Sequence, residues 1–198
     1  MLDLDTFLET YDIAGSIVLL AGSRNVAPMD QQKLRDLGKL LAKRSKQIVF
    51  RSGNADGADS FFIHGVGEVD PSRIEIIVPD PKHRPKNRVA YASFSLDQVD
   101  LLQEPNLVEQ AKRNTGARYG IERYLGGETS GGKIVSAKYI LRSTLMVTGS
   151  QQLNPANFAI FYIDFSSDKL GGTGHTIKVC EQMNVEHIDQ CTWFSWLD

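Results

Sequence analysis

Ser16-Ile17-Val18-Leu19-Leu20-Ala21-Gly22-Ser23-Arg24 is the stretch that decides the fold. Its first part is apolar without alternation, the mark of a strand covered on both faces. It breaks off at Gly22-Ser23-Arg24. Helical spacing follows over 30–45, where Leu34, Leu37, Leu40 and Leu41 share one face and charges occupy the other. Residues 47–51 (QIVFR) predict a second short buried strand, which runs into Ser52-Gly53-Asn54-Ala55-Asp56-Gly57 and a helix over 58–67. A third strand, 73–78 (RIEIIV), is stopped by Pro79 and Pro81.

Working outward, residues 2–11 predict a short leading helix. The segment 80–132 breaks the rhythm. It opens on a basic run (Lys82, His83, Arg84, Lys86, Arg88) and continues through helical stretches near 95–102 and 106–114, so it reads as a helical insertion or extended connection. A helix over 133–146 and a fourth strand over 158–165 (FAIFYIDF) come next. Leu170-Gly171-Gly172-Thr173-Gly174-His175-Thr176 then reads as a glycine turn, followed by a helix over 176–183 and a last strand near 185–188. Strand, turn and helix in repeated succession are the signature of βαβ units. The expected fold is α/β: a Rossmann-like three-layer α/β/α arrangement with a mostly parallel sheet, one domain over 1–198.

Bulk properties narrow the class. The chain has 198 residues and a net charge of -2, with apolar content ordinary for a globular protein. A protein living by non-specific DNA binding is usually more basic. Cys180 and Cys191 form no CxxC pair and suggest reduced thiols. The acidic N-terminal stretch lacks the features of a signal peptide, and no apolar run is long enough to cross a bilayer. A cytoplasmic protein without a membrane partner is expected.

Three turns carry the chemistry: Gly22-Ser23-Arg24, residues 52–59, and 171–176. In a parallel sheet all three lie at the carboxyl edge, where ligands bind at the reversal of strand order. Glycines let backbone N–H groups approach an anion, and helices that start there add free N–H groups and a positive dipole end. The expected ligand- or phosphate-binding set is Gly22, Ser23, Arg24, Ser52, Gly53, Asp56, Gly57, Asp59, Arg142, Gly171, Gly172, Thr173, Gly174, His175 and Thr176. Hydroxyls of Ser23, Ser52, Thr173 and Thr176 donate, and Arg24 suits a phosphate or carboxylate. Asp56 and Asp59 suit ribose hydroxyls or a base edge, or else cap the following helix. His175 and Arg142 have equally ordinary roles, in packing and in a surface ion pair. No P-loop lysine follows the last turn, and His64, His83 and His187 show no metal spacing, so neither P-loop chemistry nor a metal is expected. Trp193 and Trp196 read as packing residues. No cofactor is named by any motif.

Ala21-Gly22-Ser23-Arg24, Arg51-Ser52-Gly53-Asn54-Ala55-Asp56-Gly57-Ala58-Asp59 and Gly171-Gly172-Thr173-Gly174-His175-Thr176, in that order, resemble the SLOG superfamily. That group includes the DNA-processing protein DprA, the LOG phosphoribohydrolases and many bacterial and phage proteins. The stretch from Arg142 through Gly149 to Phe158 looks like the version common in phage-encoded members. The resemblance implies a Rossmann-like fold and a nucleotide-type ligand at the glycine turns. Its members often form dimers, which makes a homodimer an expectation. The LOG reaction is not carried over: Leu170 stands at the proline position of the LOG pattern and Lys178 where its glutamate falls, with Glu181 the nearest carboxylate.

Three functions follow as expectations. The first is a binding or sensor module for a nucleotide or nucleotide-derived ligand. The second is a nucleotide-cleaving enzyme acting at an N-glycosidic bond through Asp56, Asp59 or Glu181. The third, set lower because of the near-neutral charge, is DprA-like binding of single-stranded DNA through 82–88, Lys112 and Arg113. Whether any ligand is turned over is left open by the residues themselves.

Overall fold

The computed structural model describes residues 2–83, 92–115, 120–166 and 171–197. Its centre is one sheet in which every pairing is parallel. The strands are β1 (Ile17–Gly22), β2 (Val49–Ser52), β3 (Ile74–Val78), β4 (Ala92–Ser95), β5 (Phe158–Tyr162) and β6 (Glu186–Ile188), in the order β4-β3-β2-β1-β5-β6. The helices are α1 (Leu4–Tyr11), α2 (Gln31–Arg44), α3 (Ala58–Gly67), α4 (Pro105–Arg113), α5 (Ile121–Leu125), α6 (Gly132–Thr148), α7 (Gly171–Gln182) and α8 (Gln190–Trp193). The chain builds outward from β1 to β4, then returns across the sheet to lay β5 on the other side of β1. Val18 faces Phe50 in β2 and Phe158 in β5. Strand order therefore reverses beside β1.

Alternation along the strands separates two cores, one on each sheet face. Val18, Leu20, Phe50, Ile74, Ile76, Phe158 and Ile160 pack with α1, α2, α3 and the Trp193–Trp196 segment. Leu19, Ala21, Ile77, Ala159 and Phe161 pack with α4, α6 and α7. This is the three-layer α/β/α arrangement expected, and it explains why β1 shows no polar alternation. Helix α2 contributes Leu34, Leu37 and Leu41, all fully buried, as its spacing requires. Trp193 is fully buried, and its indole N–H donates to the Phe161 carbonyl at 2.9 Å.

Three sequence expectations need correction. Residues 92–95, read as connection, form β4 and pair with Glu75–Val78. Ala92 and Ser93 are exposed, so this edge strand carries none of the apolar signal of a buried one. The strand expected over 158–165 is the fifth in the chain and ends at Tyr162, after which Gln190 bonds both the N–H and the carbonyl of Ile163. The glycine run 171–176 is helical rather than a turn. Gly171 has a φ of 52°, and from there the chain closes helical bonds, with Thr176 Oγ1 donating to the Gly172 carbonyl at 2.9 Å. Packing against α6 outweighs the low helix propensity of three glycines.

Of the basic run, Arg84, Lys86 and Arg88 lie outside the described residues, as does Leu170. No described helix is long and apolar enough to cross a membrane. Cys180 is buried and Cys191 exposed, both as free thiols.

Candidate phosphate-binding cleft at the strand reversal

Ser23 lashes the ends of three elements together. Its N–H donates to the Tyr162 carbonyl at the end of β5 (2.8 Å), and its carbonyl accepts from Ala58 at the start of α3 (3.0 Å). Gly22 makes this possible, because a Cβ there would stand 2.4 Å from the Tyr162 oxygen. Gly57 has a φ of 85°, and its bare Cα leaves room for the Arg24 backbone; a Cβ would meet the Arg24 oxygen at 2.4 Å. The turns after β1 and β2 thus interlock, and Arg24 is fixed where they meet.

A single carboxylate ties these turns from below. Asp59, in the first turn of α3, accepts from Gly22 N–H at 3.2 Å through Oδ1. Its Oδ2 accepts from Gly53 (3.2 Å) and Ala55 (3.3 Å). Burial pushes the Asp59 carboxyl up, while the charge of Arg142 and the three N–H donors pull against that rise; burial dominates. Arg142, buried on α6, lies directly over Gly53: a Cβ on Gly53 would stand 1.6 Å from its Nη1 and 3.0 Å from Asp59 Oδ2. Its Nη1 also donates to Met146 Sδ at 3.3 Å.

Above these groups opens a cleft of about 520 Å³, an ordinary size for a small-molecule site. Its floor is the end of β1 (Ala21–Arg24) with Ala55 and Asp59. One wall is α6, through Ser136, Tyr139, Ile140, Arg142, Ser143 and Met146. The other is the start of α7, through Gly171, Gly172, Thr173 and Thr176. The Tyr139 ring carries both cations, with the guanidinium carbons of Arg24 and Arg142 at 5.8 and 5.7 Å from its centroid. His83, at the start of the basic run, meets the same ring edge-on at 5.7 Å.

The structure brings Gly22, Ser23, Arg24, Asp59, Arg142, Gly171, Gly172, Thr173 and Thr176 to this one cleft. The other expected residues stand elsewhere. Ser52 is buried, and its hydroxyl donates to the Leu20 carbonyl at 2.7 Å. Gly53 and Gly57 shape the turn from behind. Asp56 is exposed, and Gly174 is half-buried within α7. His175 faces α6, where Nε2 lies 2.8 Å from Thr144 Oγ1. Because the helix starts at Gly171, this position falls on the packed face, and burial with nearby Lys178 holds the imidazole down at about 4. Sequence reasoning missed Tyr139, Ser136 and Ser143; only the one-turn steps from Ser136 to Tyr139 to Ser143, on the helix that carries Arg142, could have pointed to them.

Among the described residues no cluster of three or more His, Cys, Asp or Glu could hold a metal ion. Glu181 is exposed and lies near the far end of α7, roughly 15 Å along the axis from Gly171.

A parallel α/β sheet with a cleft beside its strand reversal is a Rossmann-like fold. No family model matches the chain, and no curated protein matches it. Among solved structures, DNA processing protein A from Helicobacter pylori, studied for its single-stranded DNA binding mode, is similar with a TM-score of 0.52. Identity is 16%, over 89% of this chain and 65% of that one, so the chain spans less than two thirds of that protein's length. At this identity the likeness is one of fold.

Proposed function

We propose that the cleft binds the phosphate of a nucleotide unit. The observation that carries this reading is convergence: Arg24, Arg142 and the N-terminus of the 12-residue helix α7 line a single cleft. Each is suited to an anion: the guanidinium groups by charge and fork geometry, the helix by its unpaired N–H groups and dipole. Tyr139 and the wall hydroxyls offer a ring face and donors for a sugar or base. We read the chain, on its motifs, as SLOG-like.

Two carriers present such a unit. The likeness to DNA processing protein A supports single-stranded DNA, the partner set lower on sequence grounds alone. A strand would track from the cleft toward Lys82 and His83, since His83 already touches Tyr139. The dimensions of the cleft support a free nucleotide. The cleaving-enzyme reading gains nothing: Glu181 is distant, Asp56 is exposed and does not line the cleft, and Asp59 accepts from three backbone donors.

Fluorescence anisotropy with labelled oligothymidylate, beside thermal shift with nucleoside mono-, di- and triphosphates, separates the two. Strand binding is expected to weaken steeply with salt, roughly as 0.7 per phosphate engaged on a log–log plot. Nucleotide binding is expected to raise the melting temperature. Arg24→Ala is expected to weaken either about tenfold to a hundredfold, the worth of a charge-assisted contact. Absence of both responses in the native chain would sink the reading.

A further inference from the structure

We propose that anion binding in this cleft is coupled to uptake of a proton by Asp59. The inference rests on the phosphate reading above and concerns how that same site is regulated. Asp59 and Arg142 both line the cleft, and both approach the point where a Gly53 side chain would begin. The charge of Arg142 therefore acts on the Asp59 carboxyl and on any phosphate that enters the cleft beside it. Asp59 is 3% exposed, so water supplies little screening between the two negative charges.

The surroundings define the electrostatic balance. From the β1 turn, Arg24 faces the cleft along with Asp59. From α6 come Arg142 and Tyr139. From its own turn, Asp56 is exposed and does not line the cleft. Along β2 and β3, Arg51 and Glu75 pair with each other at 2.5 Å. From α7 the cleft receives backbone and hydroxyl groups, while His175 turns to Thr144. Among the described residues, Arg142 is the opposing charge that acts on the Asp59 carboxyl.

An anion bound to Arg142 adds negative charge close to a buried carboxylate. That charge disfavours the ionised form and raises the affinity of Asp59 for a proton. By linkage, the protonated site holds the anion more tightly. Affinity is expected to rise as pH falls, by up to about tenfold per pH unit between the Asp59 midpoints of the free and bound states, and to level off below the free-state midpoint.

The test uses sulfate, a dianion that does not titrate in this range, and the full chain. Carbon-13 NMR of the aspartate carboxyls reads the Asp59 midpoint with and without saturating sulfate, while the Arg142 side-chain N–H signal reports occupancy. The expected result is an upward move of the midpoint when the Arg142 signal shifts. A shifted Arg142 signal with an unmoved midpoint overturns the coupling and leaves the phosphate reading intact. No response of either signal overturns both. Asp59→Asn is expected to bind sulfate more tightly at pH 8 and to lose the pH dependence, because Arg142 no longer serves a carboxylate. A merely structural Asp59 would give weaker binding at every pH. Should that variant fail to fold, the measurement on the native chain decides.

Discussion

A methyl group at position 53 would stand 1.6 Å from Arg142 Nη1. The guanidinium is the end of a flexible side chain, but here it is buried between Tyr139, Met146 and the turn, so its retreat is hindered. Gly53→Ala is expected to cost about 1–3 kcal/mol of stability, the range for overpacking a filled site. Its larger effect is on binding: with Arg142 displaced, affinity for the cleft's ligand is expected to fall at least tenfold. Chemical denaturation and the anisotropy assay, run on one preparation, check both. A variant with native affinity would show that Arg142 does not hold the ligand from this position. Several of these residues were legible in the sequence. Arg24 follows directly from an apolar strand, and Asp59 follows a turn rich in glycine and aspartate. Tyr139 was not, because Lys138-Tyr139-Ile140 reads as any amphipathic helix, and its place opposite Arg24 is set by a contact far along the chain.

At the scale of elements, the seam between α6 and α7 holds the buried pair His175 and Thr144. Burial lowers the imidazole from its usual 6.5 to about 4. The unfolded chain therefore binds the extra proton between those values, and the folded chain does not. Stability contributed by the neutral imidazole is present above about pH 6.5 and is lost as pH falls toward 4, by about 3 kcal/mol. Urea unfolding at pH 7 and pH 4.5 is expected to show that loss in the native chain and a smaller one in His175→Gln. Equal losses would place the acid sensitivity elsewhere. The same seam explains what sequence reading could not reach. A run of glycines reads as a turn because its intrinsic preference is for one. Packing of α7 on α6 is a tertiary effect, and it is what makes residues 171–176 helical and carries His175 away from the cleft. Strand β4 escaped for the complementary reason. Lying at the edge, half exposed, it has no apolar run to betray it. The central strands were visible because burial on both faces leaves such a run.

At the scale of the molecule, two cores share one sheet, and the C-terminal aromatic segment closes one of them. Trp193 stacks edge-on against Phe62 and Phe194, with centroids at 5.7 and 4.6 Å, and Trp196 meets Phe7 at 5.2 Å. Trp193→Ala removes a fully buried indole and the partner of the Phe161 carbonyl. A loss of about 3–5 kcal/mol is expected by denaturant unfolding, with the cleft at the carboxyl edge, none of whose lining residues is Trp193, keeping its ligand affinity at temperatures where the variant is folded. A loss under 1 kcal/mol would mean that the segment is not part of the cooperative unit.

The central position of β1 also has a consequence in time. Ile17 N–H is satisfied by Asn157 Oδ1, 140 residues further along. A ribosome adding about 5–20 residues per second needs on the order of ten seconds to deliver that partner. Until then the edge of the buried strand β1 that β5 covers in the folded chain has no partner from β5. Newly made molecules are therefore expected to pass through a stage prone to joining one another, more so than a fold whose central strand is paired on both sides by near neighbours in the chain.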